Sequence, residues 1–132
     1  MRNNMAKKIV IADDEMHILH ILALKLRNAG YEVFTAGDGE EALQTCRAQS
    51  PDLIIADYQM PYRNGLELCT AYREQTGRRI PSMLITAREH DIRIEDMQSV
   101  GVDLVMAKPF SPREVVQAVT TLLEESERKG AA

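Results

Sequence analysis

Apolar positions along the chain gather into short unbroken runs, separated by longer stretches with helical spacing. Ile9-Val10-Ile11-Ala12, Leu53-Ile54-Ile55-Ala56, Met83-Leu84-Ile85 and Leu104-Val105-Met106-Ala107 are four such runs. Runs of this length without polar alternation suit strands buried on both faces of a parallel sheet. A fifth candidate, residues 31–36, mixes Glu32 and Thr35 with apolar residues and suits an edge strand.

The stretches between them read as helices. Residues 16–29 place Ile18, Leu22 and Leu26 at four-residue spacing with Ile21 beside them, and Gly30 follows as a C′ residue. Residues 40–49 carry Ala42, Leu43 and Cys46 and stop at Ser50-Pro51. Residues 66–75 carry Leu68, Cys69 and Tyr72, and Gly77 ends them. Residues 92–100 set Ile94, Met97 and Val100 in one row before Gly101. In the last helix Ser111 is the N-cap, Pro112 is N1, and Glu114 at N3 closes a capping box. Val115, Val116, Val119, Leu122 and Leu123 then form its apolar stripe. Strand and helix alternate five times. That pattern predicts an α/β domain, a parallel sheet with helices on both faces and right-handed crossovers.

Composition narrows the picture. A chain of 132 residues has room for one domain, and it can bury roughly two-thirds of its unfolded surface without disulfide or metal staples. Apolar residues at 45% and charged residues at 27% are ordinary for a globular domain, which argues against a disordered chain. A net charge of −4 gives no chain-wide attraction to nucleic acid or to an anionic membrane. Cys46 and Cys69 lack CxxC spacing and read as free thiols in a reducing compartment. No Cys or His spacing suits zinc. The apolar runs are far shorter than the roughly 20 residues needed to span a bilayer. The positively charged start is followed by Ile9, but Asp13 and Asp14 cut that run off before it could serve as a signal segment. The expected location is the cytoplasm.

In open α/β sheets ligands bind at the carboxyl ends of the strands. The first run ends in Asp13-Asp14, the next buried run in Asp57, the fourth strand in Thr86 and the fifth in Lys108. The edge strand ends in Ala36-Gly37 and adds nothing obvious. A single Asp after a strand is usually a helix cap, and Asp13 or Asp14 alone would need no other account. Capping does not explain Asp57, which stands several residues before the next helix. Nor does it explain Lys108, where a lone ammonium would be desolvated without a partner. Three neighbouring carboxylates repel one another. Mg²⁺ relieves such repulsion, taking one or two carboxylates and keeping several waters. An ammonium and a hydroxyl beside them suit a phosphoryl group in flight, and a carboxylate can itself be the nucleophile that becomes an aspartyl phosphate.

At these residues the sequence resembles the receiver domain of bacterial two-component response regulators. The resemblance rests on Asp13-Asp14, on Asp57 with Met60-Pro61 and Gly65 after it, on Thr86-Ala87, and on Lys108-Pro109-Phe110. It covers residues 7–126, leaving 1–6 and 127–132 as flexible ends. It implies a three-layer α/β/α, flavodoxin-like (βα)5 fold with a five-stranded parallel sheet in the order 2-1-3-4-5. It further implies that Asp57 accepts the phosphoryl group, and that Asp13, Asp14, Asp57 and the Gln59 backbone carbonyl hold Mg²⁺. Lys108 would pair with Asp57 and then with the phosphoryl group. The Thr86 hydroxyl and the Ala87 backbone N–H would contact phosphoryl oxygens, and the Lys108–Pro109 bond would be cis. The implied donor is the phosphohistidine of a sensor histidine kinase or phosphotransfer protein. The implied role is a switch acting on a partner or output domain, not an enzyme, with slow self-dephosphorylation at most. No direct contact with nucleic acid or membrane is expected.

One position departs from the family. Three residues before the Lys the family usually carries Tyr or Phe, and here Val105 stands there. The expectation is that output runs through Thr86 and backbone shifts, or through a partner that reads this face differently. Gln59 and Arg88 flank the site in sequence and either set the phosphoryl lifetime or are merely solvated. Leu24, near His20 and Arg27, is either an ordinary exposed Leu or an interface anchor. His17, His20 and His90 read as solvated, and His17 with His20 lacks a third ligand. Three other functions are weighed against the switch. A pseudo-receiver would bind partners without phosphorylation. A small Mg²⁺-dependent phosphatase of the haloacid dehalogenase type would need a DxD pair after the first strand. A flavin binder would need an uncharged phosphate loop where Asp13-Asp14-Glu15 stands.

Overall fold

The unbroken apolar runs become β1 (Lys8–Ala12), β3 (Leu53–Asp57), β4 (Ser82–Thr86) and β5 (Leu104–Ala107), and the mixed run becomes β2 (Glu32–Ala36). The helices between them are α1 (Met16–Asn28), α2 (Gly39–Gln49), α3 (Gly65–Thr76), α4 (Ile94–Val100) and α5 (Pro112–Ala131). The structure, a computed structural model, describes residues 6–87 and 92–131, the side chains at 94, 130 and 131 excepted. The five strands pair in the order β2-β1-β3-β4-β5, all parallel, as the family resemblance implied.

Alternate side chains of one strand enter different cores, because successive Cβ atoms point to opposite faces. Ile9 and Ile11 of β1 pack in a cluster with Leu19, Leu22 and Leu26 of α1 and Val115 and Val119 of α5. Val10 and Ala12 join the other cluster, with Ala42, Leu43 and Cys46 of α2 and Leu68, Cys69 and Tyr72 of α3. Both faces are dry, so the central strands have no need of polar alternation. Of the strands only β2, at one edge, has exposed positions, Glu32 and Thr35.

The amino ends of the strands are tied by a repeated device. Asp52, just before β3, donates its N–H to the Lys8 carbonyl at 2.7 Å, and its carboxylate accepts the Lys8 N–H at 2.8 Å. Asp103, just before β5, does the same with Ser82 at 3.0 and 2.9 Å. Each ring satisfies the first backbone N–H of a strand, which would otherwise lie at the sheet's end without an acceptor.

Some boundaries and faces differ from expectation. The buried face of α1 is Leu19, Leu22, Ala23 and Leu26, whereas Ile21 is 46% and Leu24 58% exposed. This helix is apolar on nearly every side, so spacing alone does not pick its inner face. The expected helix over 92–100 begins at Ile94, with Ile92 buried just before it. α5 continues through Ala131, so the stretch after residue 126, expected to be a fraying helix end or the start of a linker, carries on this helix as far as that residue. The other expected flexible end, 1–6, lies outside the described residues apart from residue 6. The capping box at Ser111 is half formed. Glu114 Oε1 accepts the Ser111 N–H at 3.0 Å, but Ser111 Oγ accepts from Arg113, one residue early, at 3.2 Å. A full box caps α3 instead, between Asn64 and Glu67. Among the described residues no helix is long and apolar enough to cross a membrane.

Candidate functional site

The strand registers bring the predicted residues to one rim. Ala12 lies beside Ala56, Asp57 beside Ile85 and Thr86 beside Ala107, so the ends of β1, β3, β4 and β5 fall within two residues of one another along the same rim. Asp13 (2% exposed), Asp57 (7%) and Thr86 (1%) are buried there, and Asp14 is exposed. Carboxylate oxygens of Asp13, Asp14 and Asp57 lie within 4.8 Å of one another. Lys108 reaches the same point from the end of β5. Its Nζ is 3.3 Å from Asp57 Oδ2, 3.3 Å from Asp13 Oδ2 and 2.7 Å from Glu15 Oε1. The Lys108 N–H donates to the Thr86 carbonyl at 2.8 Å, which ties the ends of β4 and β5 together. The Lys108–Pro109 peptide is cis.

Local features hold these groups in place. Asp13 Oδ1 accepts the Glu15 N–H at 2.9 Å in the turn that leads into α1, so Asp13 spends one oxygen on that turn and offers the other to the site. The Gln59 N–H donates to Asp57 Oδ1 at 3.4 Å. Gly65 must be small, because a Cβ there would lie 2.7 Å from the Asp57 carbonyl oxygen. The loop after Asp57 is clamped to the start of α2. The Pro61 carbonyl accepts from Gly39 at 3.2 Å and from Arg63 at 2.8 Å, the latter across Tyr62 with φ at 71°. Arg63 Nε pairs with Glu40 Oε2 at 3.2 Å.

The electrostatics follow from burial and company. Burial pushes the Asp57 carboxyl up, and the nearby Asp13 charge pushes it further, to about 6, while Lys108 and the Gln59 N–H pull it back. Burial alone would lower the Lys108 pKa, but the Glu15 hydrogen bond and the Asp13 and Asp57 charges outweigh it and raise it. The Lys108 hydrogen bond holds Glu15 below the usual carboxylate range.

The donor set fits a hard divalent cation. It consists of three carboxylates in mutual reach, one of them raised by burial and crowding, with the Lys108 ammonium set among them. Ala87 follows Thr86 and lines an apolar groove of about 520 Å³ with Glu15, Ile18, Ile21, Lys108 and Phe110. Val105 pairs with Leu84 in the sheet and is half-buried against the core. His17 and His20 are exposed on α1 and stand outside the acidic group. Arg88 and His90 lie outside the described residues. Sequence reasoning missed Glu15 as a partner of Lys108. The available signal was its place as a third acid directly after Asp13-Asp14.

Comparison with known proteins agrees with this geometry. The model of the response regulator receiver domain family matches residues 9–120. The alkaline phosphatase synthesis transcriptional regulatory protein PhoP of Bacillus subtilis is 41% identical over 123 residues, covering 93% of this chain and 51% of that protein. The probable transcriptional regulator ycf27 of Cyanophora paradoxa is 39% identical, covering 92% and 50%. The chain thus spans about half the length of these relatives. A CheY-like receiver domain from Methanospirillum hungatei superposes with a TM-score of 0.85 at 25% identity, covering 95% of this chain and 99% of that one. The chemotaxis protein CheY4 of Vibrio cholerae gives 0.80 at 30% identity, covering 89% and 99%. Sequence and fold lead to the same place, and the chain belongs to the response regulator receiver domain family.

Proposed function

We propose that Asp57 is the phosphoryl acceptor of a switch, and that a protein phosphohistidine, on a sensor histidine kinase or a phosphotransfer protein, is its donor. One observation carries the reading: the Asp57 carboxylate stands where Asp13, Asp14 and Lys108 converge, buried enough to exclude bulk water yet open to the rim. An Asp57 oxygen attacks phosphorus, the donor's P–N bond breaks, and the imidazole leaves with the electron pair and takes up a proton. Lys108 holds Asp57 before transfer and can follow the negative charge onto the phosphoryl oxygens after it. Thr86, at the end of the neighbouring strand, would offer its hydroxyl, and Ala87 its backbone N–H. Asp13, Asp14, Asp57 and the Gln59 carbonyl are the residues that would hold Mg²⁺, which when bound would offset their charge and that of the phosphoryl oxygens.

The acid cluster acts on the chain itself, so the outcome of the chemistry is a changed surface rather than a released product. With Val105 in place of an aromatic ring, that change is carried by Thr86 and the backbone that Lys108 and Thr86 share. The downstream partner or output domain reads it. The cytoplasm is the setting that fits, since Cys46 and Cys69 are free thiols.

The test is incubation with Mg²⁺ and acetyl phosphate followed by mass measurement. The expected result is one phosphoryl group per chain, absent from Asp57→Asn and absent with a chelator. A chain that gains no phosphoryl group, or that steadily hydrolyses phosphomonoesters, overturns the reading.

A further inference from the structure

Among the carboxylates around Lys108, Glu15 is the one that the proposed transfer leaves without a task. Yet it makes the shortest contact of the ammonium, 2.7 Å against 3.3 Å to Asp13 and 3.3 Å to Asp57. Burial should favour the other two, because attraction strengthens as water is removed. Glu15 occupies the N-cap position of α1, but its side chain does not cap that helix. It reaches instead across 93 residues of sequence to the end of β5. Its own N–H is fixed to Asp13 Oδ1 at 2.9 Å, so its position relative to the acidic group is set by the same turn that orients Asp13.

We propose that Glu15 is a positioning residue that draws the Lys108 ammonium toward the rim and so limits its hold on Asp57. The proposal rests on Asp57 being the acceptor. An ammonium has three N–H donors on one nitrogen, and its position is a compromise among its acceptors. In the present compromise the exposed acid has the closest share. When phosphorus approaches Asp57, Lys108 must move toward the gathering negative charge, and Glu15 pulls the other way. Removing the Glu15 charge frees Lys108 to follow the phosphoryl group, which lowers the barrier to transfer.

The experiment compares wild type, Glu15→Gln, Lys108→Met and the double variant. With acetyl phosphate as donor and saturating Mg²⁺, an Asp57 oxygen attacks phosphorus and the P–O bond to acetate breaks, so the rate is read as phosphoryl gain by mass. Glu15→Gln should react about two- to fivefold faster, the range an exposed ion pair is worth. The gain should vanish in the Lys108→Met background, because Glu15 acts through Lys108. An equal gain in both backgrounds means a general charge effect and overturns the proposal, as does no gain in either.

A second arm needs no phosphoryl donor. The Lys108 ammonium protons, followed by hydrogen–nitrogen correlation spectroscopy, should exchange with water faster in Glu15→Gln than in wild type. Unchanged exchange overturns the proposal. If Lys108→Met abolishes transfer, this arm decides alone. If wild type takes up no phosphoryl group, the acceptor reading fails, and the exchange measurement still decides the role of Glu15.

Discussion

The two ends of one sheet use the same side chain in opposite ways. At the amino ends, Asp52 and Asp103 each accept one backbone N–H, from Lys8 and Ser82, as single caps on strand starts. At the carboxyl ends, Asp13 and Asp57 are buried beside Asp14, with oxygens of all three within 4.8 Å. The first arrangement satisfies donors one by one. The second gathers charge that the fold itself does not need gathered, since Asp13 alone makes the turn into α1. Crowding of charge, rather than the presence of an aspartate at a strand end, separates chemistry from construction.

The sharpest way to break this comparison is to neutralise one acid at each end. Asp57→Asn should remove phosphoryl uptake from acetyl phosphate altogether, because an amide oxygen is a poor nucleophile at phosphorus. Asp52→Asn should leave uptake at the wild-type level, measured as phosphoryl gain by mass. Loss of uptake in Asp52→Asn would show that the amino end takes part in the site.

A second contrast is in metal dependence. Mg²⁺ at a hundredfold excess over its dissociation constant should stabilise the folded chain by roughly 2.7 kcal/mol, and a chelator should remove that gain. Asp14→Asn should shrink the gain while stabilising the metal-free chain, because it removes one of three mutually repelling charges. Urea unfolding with and without Mg²⁺ reads both effects. A metal-free wild type at least as stable as metal-free Asp14→Asn would contradict the repulsion.

How much of this was legible before the fold is itself a matter of which forces act locally. The strands announced themselves because β1, β3 and β4 are buried on both faces, and such burial leaves an apolar run in the sequence. The acidic group and Lys108 were legible because each sits at the end of such a run. The inner face of α1 was not, since Ile18, Leu19, Ile21, Leu22, Leu24 and Leu26 give competing spacings and only docking chooses between them. Glu15 and Lys108 meet 93 residues apart, and the Asp52 and Asp103 rings arise from strand register. Neither leaves a periodic mark. The α3 capping box was readable in principle from Asn64 and Glu67, whereas the expected box at Ser111 is only half made.

The amino end makes a prediction of its own. Asp103→Ala leaves the Ser82 N–H, on a residue 4% exposed, without its acceptor. The cost should be roughly 1–3 kcal/mol, the penalty of a buried unsatisfied donor. It should be the same with and without Mg²⁺, which separates it from every change at the carboxyl end. A cost that depended on Mg²⁺ would mean the two ends are coupled through β4 and β5.

The smallest effect asks whether burial without a crowd of charges behaves as the comparison requires. Cys46 and Cys69 lie in the core between the sheet and α2 and α3, and burial pushes both thiols up from 9.0 to about 12. A thiol that titrates near 9 when unfolded loses its proton there while the folded one keeps it. The folded state then binds more protons, so stability is full below pH 9 and falls as pH rises from 9 toward about 12. At pH 9 the loss is about 0.4 kcal/mol per thiol, or about 0.8 kcal/mol for the pair. Wild type should therefore lose about that much more stability between pH 7 and 9 than Cys46→Ala/Cys69→Ala, measured by urea unfolding at both values. The difference between the two pH values is the readout, so any stability the alanines cost in the core cancels. Parallel pH profiles would mean that burial in this core does not raise the two thiols.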